Sequence, residues 1–177
     1  MKETGMVRRI DELGRVVIPK EIRRTLRLKE SDPLEIFTER DMLCFKKYSP
    51  VNSISDFADG VCSSLAEATG KLSMIVDTDR VLSAKGQLSR EYAGKEILKE
   101  VSDVLEARRA VIMDANTDGS VKAITVDGAN RFKNVFIAPA VSGGDIVGGV
   151  IICSEDNIGR ENVALAEMCA DIISRQF

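Results

Sequence analysis

The sequence has 177 residues, 44% of them hydrophobic, with a formal net charge of −3 and no histidine. This composition suits a folded chain of one or two domains and argues against an intrinsically disordered protein. No apolar run approaches the roughly 20 residues needed to span a bilayer, and the N-terminus lacks the pattern of a secretory signal. We therefore expect a cytoplasmic protein without membrane contact.

Motifs for catalysis and metal binding are missing from the sequence. Without histidine, Ser-His-Asp and Cys-His arrangements are impossible, and glycine-rich phosphate-binding or dinucleotide-binding motifs do not occur. The four cysteines form no CxxC pair and lie among apolar neighbours, at Cys44, Cys62, Cys153 and Cys169. This favours reduced core thiols over a zinc site, with a redox sensor as the alternative. We predict no enzyme activity, no catalytic residue, no metal and no cofactor.

Charge is distributed unevenly along the chain. Residues 1–50 contain 12 lysines and arginines against 9 acidic residues, whereas residues 51–177 contain 13 against 19. A basic segment joined to an acidic one is typical of an anion-binding module attached to a separate body. A polar stretch around Pro50 separates the two, so we predict domains at 1–50 and 56–177 with a linker at 51–55.

The first 50 residues predict a small β-rich domain. Its elements follow the order β-β-α-β-β, at 7–10, 15–18, 20–26, 34–38 and 43–47. Gly14 lies in the turn between the first two strands, because it tolerates a positive φ. Pro19 suits the first turn of the helix, which has Ile22 and Leu26 on its buried face.

A unit of about 50 residues buries too little apolar surface to be stable by itself. The segment contains neither a plausible metal site nor a disulfide that would compensate. Oligomerisation is the remaining means of stabilisation. We therefore predict that two copies interlock their strands around one shared core.

Arginines are concentrated in this basic segment. The candidates for contact with an anionic partner are Arg8, Arg9, Arg15, Arg23 and Arg24. A guanidinium group presents a planar fork of donors that suits phosphate oxygens and guanine edges, which fits an anionic partner such as double-stranded DNA. From charge alone, the alternative is that these side chains solvate a helix face and pair with Asp11, Glu12 and Glu21.

The same segment resembles the swapped-hairpin DNA-binding domain of the AbrB-type transcription regulators. The residues that carry the resemblance are Gly5, Val7, Arg8, Ile10, Asp11, the run 13–23, Leu26, the run 32–36 and the run 46–48. The resemblance implies that two chains exchange β-hairpins to form one DNA-binding homodimer. The DNA-contacting arginines of that family correspond to Arg8, Arg15, Arg23 and Arg24. Two departures from the family pattern, at Ser31 and at Asp41-Met42, affect turns.

The remainder of the chain predicts an α+β domain with helices packed on an antiparallel sheet. Helices are predicted at 54–69, 91–109 and 161–176, and strands at 72–76, 80–84, 110–114, 120–126, 134–141 and 146–153. Gly70 ends the first helix, and Gly143-Gly144-Asp145 forms the hairpin turn between the last two strands.

This second domain resembles a GAF sensor domain, on residues 138–140 and 148–152. Together, the two domains resemble the stage V sporulation protein T family over the full chain. That resemblance implies a homotetramer joined through the helices at 54–69 and 161–176, and a spore-forming bacterium as the source. The residues typical of cyclic-nucleotide binding are absent, so an unknown small-molecule effector stays open.

We therefore predict a mixed fold and a DNA-binding transcriptional regulator of sporulation genes, an activator or a repressor, associated with the nucleoid. An antitoxin-like autoregulator is one alternative. A small-molecule-binding signalling protein, whose basic segment serves assembly, is the other. Antitoxins that share the swapped-hairpin fold carry short disordered tails, whereas residues 54–177 predict a folded domain.

Overall fold

The chain is divided into two compact units, Met1–Tyr48 (unit 1) and Ser49–Phe177 (unit 2). The computed structural model describes residues 5–114, 124–126 and 132–177. The domain bounds drawn from the sequence, 1–50 and 56–177, stay a prediction.

Unit 1 contains a short helix and a β-hairpin. Its elements are α1 (Lys20–Thr25), β1 (Leu34–Glu39) and β2 (Met42–Lys47). The two strands pair antiparallel, from Leu34 opposite Lys47 to Glu39 opposite Met42, which leaves a two-residue turn between them. The helix and the hairpin predicted from the sequence are confirmed.

The first strands predicted for this unit are wrong for the single chain. Residues 7–10 and 15–18 have no strand structure. Leu26, predicted on a buried helix face, is 55% exposed, and no residue of α1 is buried. A strand exists only beside a hydrogen-bonded neighbour, and a helix buries a face only against another element. The predictions fail where one chain supplies no such neighbour.

Unit 2 is built around an antiparallel sheet. Its strands are β3 (Leu72–Val76), β4 (Val81–Lys85), β5 (Val111–Asp114), β6 (Asn134–Ser142) and β7 (Asp145–Ser154). Its helices are α2 (Pro50–Ser53), α3 (Ser55–Thr69), α4 (Lys99–Glu106) and α5 (Arg160–Ser174). In the described part of the chain the strand order is β4-β3-β7-β6-β5. The predicted α+β architecture is confirmed.

Both faces of this sheet are covered. The core on one face joins α4 to Met74, Ile137 and Ile151. The core on the other face joins α3 and α5 to Ile75 and Ile152. Because successive residues of a strand point to opposite faces, coverage of both faces makes β3 and β7 nearly continuous apolar runs.

Three cysteines are buried in unit 2, at Cys62, Cys153 and Cys169. Burial raises the pKa of Cys62 to about 11 and also raises the pKa of the other two thiols. The Sγ of Cys62 donates to the carbonyl oxygen of Ser73 at 3.2 Å. Thiolate is therefore scarce at neutral pH, which favours the role of reduced core thiols.

The helix predicted over 91–109 is shorter in the structure, because α4 begins only at Lys99. Gly94 has a φ of +75°, a left-handed conformation that interrupts a helix. The N–H of Val81 donates to the carbonyl oxygen of Lys95 at 2.8 Å. The chain before α4 therefore bonds to the sheet edge instead of to a preceding helical turn.

The strand predicted at 120–126 lies outside the described residues, apart from 124–126. In that described part, Thr125 forms an isolated antiparallel bridge with Ile97. The bridge places residue 125 beside the segment that precedes α4.

The linker predicted at 51–55 begins with a residue that is buried in unit 2. Val51, in α2, is fully buried. The Ser49 hydroxyl donates to Oδ2 of Asp77 at 3.1 Å. Oδ1 of Asp77 accepts from the backbone N–H groups of Asp79 and Arg80, both at 2.7 Å. The start of unit 2 is thereby tied to the end of β3.

We predict that Gly148→Ala lowers the melting temperature of the protein. A Cβ at this position would collide with the backbone carbonyl oxygen of Val76 and lie 3.0 Å from a methyl group of Val51. Overpacking of this kind costs about 1–3 kcal/mol, because a sheet backbone cannot rotate away as a side chain does.

Gly60→Ala in α3 is the matched control. A Cβ there meets nothing within 4 Å, and alanine is more favourable than glycine in a helix by roughly 0.5–1 kcal/mol. This variant should melt at a higher temperature than the unmodified protein. Thermal melts followed by circular dichroism measure both changes, and equal melting temperatures for the two variants would contradict the close backbone approach.

Candidate nucleic-acid interface

A turn organised by Asp11 presents Arg15. Oδ1 of Asp11 accepts from the backbone N–H groups of Leu13 at 3.0 Å and Arg15 at 2.8 Å. Its carbonyl oxygen accepts from the N–H of Gly14, whose φ of +74° suits glycine. The Nε of Arg15 donates to Oδ2 of Asp11 at 2.8 Å, while 71% of the arginine side chain stays exposed. The guanidinium group is therefore held in place and still accessible.

The backbone N–H and the guanidinium group of Arg15 hold the pKa of Asp11 below its ordinary value. A carboxyl group with a lowered folded-state pKa stabilises the turn at pH values above its unfolded pKa. That contribution is lost as the pH falls through the lowered folded-state pKa, so the turn is intact at neutral pH. Both groups lie at the surface, where water screens the pair, and the pair serves orientation more than stability.

The helix α1 presents two further candidates, Arg23 and Arg24, in its last turn. The N–H of Arg23 donates to the carbonyl oxygen of Pro19 at 3.0 Å, which closes the first helical turn. Both arginines are exposed. Positive charge near a helix C-terminus complements the helix dipole. In the single chain, the positive charges of these side chains stabilise the end of the helix, and their guanidinium groups remain exposed to solvent.

The five candidate arginines lie on three segments of unit 1. Arg8 and Arg9 are exposed in the segment before the Asp11 turn. Of the acidic partners that the ion-pairing alternative names, Asp11 does pair with Arg15. The two candidates on α1, Arg23 and Arg24, are consecutive in the sequence. Arg27, just beyond α1, belongs to the same arginine-rich segment and is exposed, but it is not among the candidates predicted from the sequence.

Unit 1 also exposes most of its large apolar side chains. In the described chain 18 large hydrophobic residues are exposed, and 13 of them lie between residues 5 and 48. Val7 is 89% exposed and Val17 73% exposed, and the cross-strand pair Ile36 and Phe45 is exposed on the hairpin. No residue from 5 to 48 is buried. Apolar exposure of this density marks an interaction surface.

A groove in unit 2 offers a volume of about 260 Å³ between α5 and β6. Its charged lining residues are Arg108, Glu167 and Asp171. Asp171 already accepts from Nε of Arg175 at 2.8 Å. This lining identifies no ligand chemistry, and we assign no effector to the groove.

Comparison with known proteins places these features in a family. A family profile described as "Stage V sporulation protein T C-terminal, transcription factor" matches residues 53–177. The chain is 40% identical to stage V sporulation protein T of Bacillus subtilis (strain 168), over 100% of this chain and 99% of that protein. The chain belongs to the stage V sporulation protein T family. This membership confirms the predicted DNA-binding transcriptional regulator, and the relatives are transcription factors.

Two further comparisons bear on the AbrB-type resemblance. Residues 7–51 match a profile described as "Antidote-toxin recognition MazE, bacterial antitoxin". The chain is 39% identical over 106 residues to the transition state regulatory protein AbrB of Bacillus subtilis (strain 168), covering 60% of this chain and 95% of that protein. The AbrB-type resemblance predicted from the sequence is confirmed.

Among solved structures, the fold of this stage V sporulation protein T family member is similar to that of the GAF domain from an Acinetobacter phosphoenolpyruvate-protein phosphotransferase. The TM-score is 0.58 and the sequence identity 14%, over 69% of this chain and 80% of that one. This likeness confirms the predicted GAF-like fold and concerns the fold alone. Within the described residues, every helix is too short or too polar to cross a membrane.

Proposed function

We propose that two copies of this chain pair through unit 1 and form one DNA-binding body that regulates sporulation genes on the chromosome in the cytoplasm. One observation carries the proposal: residues 5–48 contain no buried residue, yet they expose 13 large apolar side chains. An isolated two-stranded hairpin is marginally stable at best, and no residue of α1 is buried against it. A second copy supplies the missing neighbour for the apolar faces.

The proposed DNA contacts are five exposed arginines of this unit, Arg8, Arg9, Arg15, Arg23 and Arg24. Their exposure leaves the guanidinium groups available to phosphate oxygens and base edges. The Asp11 turn fixes one of them in advance, which lowers the entropic cost of binding. Pairing of two chains would double the positive charge presented to one duplex.

We further infer that unit 2 joins two such dimers into a tetramer. The helices α3 and α5 cover the same face of the sheet. Each also carries an exposed apolar side chain, Phe57 on α3 and Met168 on α5. Apolar residues on the outer surface of paired helices favour a helical bundle between copies.

An antitoxin is the second candidate, because the profile that matches residues 7–51 describes one. In that case a small toxin would co-purify with the chain from its own cells. The folded unit 2 and its match over 53–177 support the transcription regulator instead.

The proposal also includes a small-molecule effector that binds this chain. Ligand-induced changes in the melting temperature of the protein would detect such an effector.

The test of this function is a binding titration of the full chain with a random-sequence duplex of about 40 base pairs. We expect binding at about 50 mM salt and a loss of roughly 10³-fold or more by 200 mM, because released counterions drive such contacts. Selection from genomic fragments then identifies the preferred sites. Absence of binding at low salt would refute the proposal.

A further inference from the structure

The end of α1 carries an arginine where the backbone conformation favours glycine. Arg27 has a φ of +52°. The N–H of Leu28 donates to the carbonyl oxygen of Arg23 at 2.8 Å, and the N–H of Arg27 donates to that of Arg24 at 3.3 Å. This pair of hydrogen bonds is a Schellman motif, whose left-handed residue is usually glycine because a Cβ is strained there.

The same chain uses glycine at the end of another helix. Gly70 follows α3 with a φ of +64°, and its N–H donates to the carbonyl oxygen of Ala66 at 2.9 Å. Arg27, by contrast, retains a strained conformation. It is exposed, so burial in a core does not explain it. Strain alone assigns no function, because Ser31, Arg40, Leu88 and Arg108 are left-handed as well. Arg27 differs from them in lying in the turn that also contains Arg23 and Arg24, two of the proposed DNA contacts.

We propose that Arg27 is a further DNA-contacting residue, a phosphate anchor at the end of α1. The inference rests on the proposed function of unit 1. The two hydrogen bonds of the Schellman motif tie residues 27 and 28 to the carbonyl groups of Arg23 and Arg24. The three arginines therefore share one fixed turn. A guanidinium group in such a turn makes charge-assisted hydrogen bonds to phosphate with little loss of backbone freedom.

The test compares the full chain with its Arg27→Gly variant in titrations with the same random-sequence duplex. Glycine relieves the left-handed strain, so the variant should melt at the same or a higher temperature. Its DNA affinity should nevertheless fall about tenfold at moderate salt. The slope of log affinity against log salt should become shallower by about two, because a paired protein loses one phosphate contact in each chain.

Arg40→Gly is the matched control. Arg40 also has a left-handed conformation, with a φ of +51°, but lies in the turn between β1 and β2. This variant relieves the same strain and removes the same charge, and its affinity should stay within about twofold of the unmodified protein.

Three results would overturn the inference. They are an unchanged affinity in Arg27→Gly, an equal loss in both variants, and a loss of affinity accompanied by a lower melting temperature. The last result would assign Arg27 a structural role. Loss of binding in Arg23→Ala but not in Arg27→Gly would refute this inference alone, whereas an unmodified chain that fails to bind DNA would refute the proposed function as well.

Discussion

Replacing Arg23 with alanine is expected to lower the affinity of the full chain for duplex DNA by about 30-fold or more. A DNA-contacting arginine contributes roughly 1–3 kcal/mol, and a paired protein loses that contribution twice. A loss of about 2 kcal/mol already corresponds to roughly 30-fold. The side chain is exposed, so the fold should remain intact. Fluorescence anisotropy at fixed salt measures the affinity, and circular dichroism verifies the fold.

Arg175→Ala provides the control for this loss. Its guanidinium group lies at the end of unit 2 and pairs with Asp171 at 2.8 Å, at an exposed position. Its removal should leave DNA affinity within about twofold. If the four arginines that the AbrB-type resemblance assigns to DNA contact, Arg8, Arg15, Arg23 and Arg24, bind phosphates in each of two chains, the unmodified protein should show a log-log salt slope of about −7. Equal affinities for the Arg23→Ala and Arg175→Ala variants would contradict the assignment of the interface.

The second large effect is expected from Ile36→Asp. Ile36 is 59% exposed on β1, opposite Phe45 of β2. If a second copy covers this pair, a carboxylate at residue 36 would be desolvated without a partner, at a cost of several kcal/mol. The pairing of unit 1 should then be lost, and the proposed tetramer should become a dimer that no longer binds DNA. Sedimentation velocity measures the assembly.

Ile112→Asp is the matched variant in the other unit. Ile112 lies on β5, the last strand in the described sheet order, and is 49% exposed. It has nearly the same exposure as Ile36, but no proposed contact depends on it. The variant should retain both assembly and DNA binding. An Ile36→Asp protein with unchanged mass and affinity would show that the apolar surface of unit 1 stays open to water.

Helices and strands whose packing partners lie in the same chain could be predicted from the sequence. The helix over 54–69 was predicted within one residue of α3, because its apolar spacing faces the sheet and Gly70 ends it in the left-handed conformation. The strand at 72–76 matches β3 in full. Pro19 correctly marked the start of α1. Local signals suffice where the partner element lies in the same unit.

Two kinds of feature could not be predicted from the sequence. The apolar pattern at 15–18 and the position of Leu26 describe a core that one chain does not complete, so a single-chain structure exposes them. The backbone conformations of Arg27 and Arg40 carry no compositional signal, because arginine rarely adopts a positive φ. Among the candidate arginines, the sequence identified the charge, whereas only the structure revealed how Asp11 orients Arg15.

Native mass spectrometry of the full chain with a duplex of about 40 base pairs tests the central claim most directly. The claim is that unit 1 binds DNA only as a pair of chains, because residues 5–48 bury nothing on their own. The account predicts that the smallest protein–DNA complex contains two chains and that larger complexes contain four. A stable complex of one chain with one duplex would contradict it.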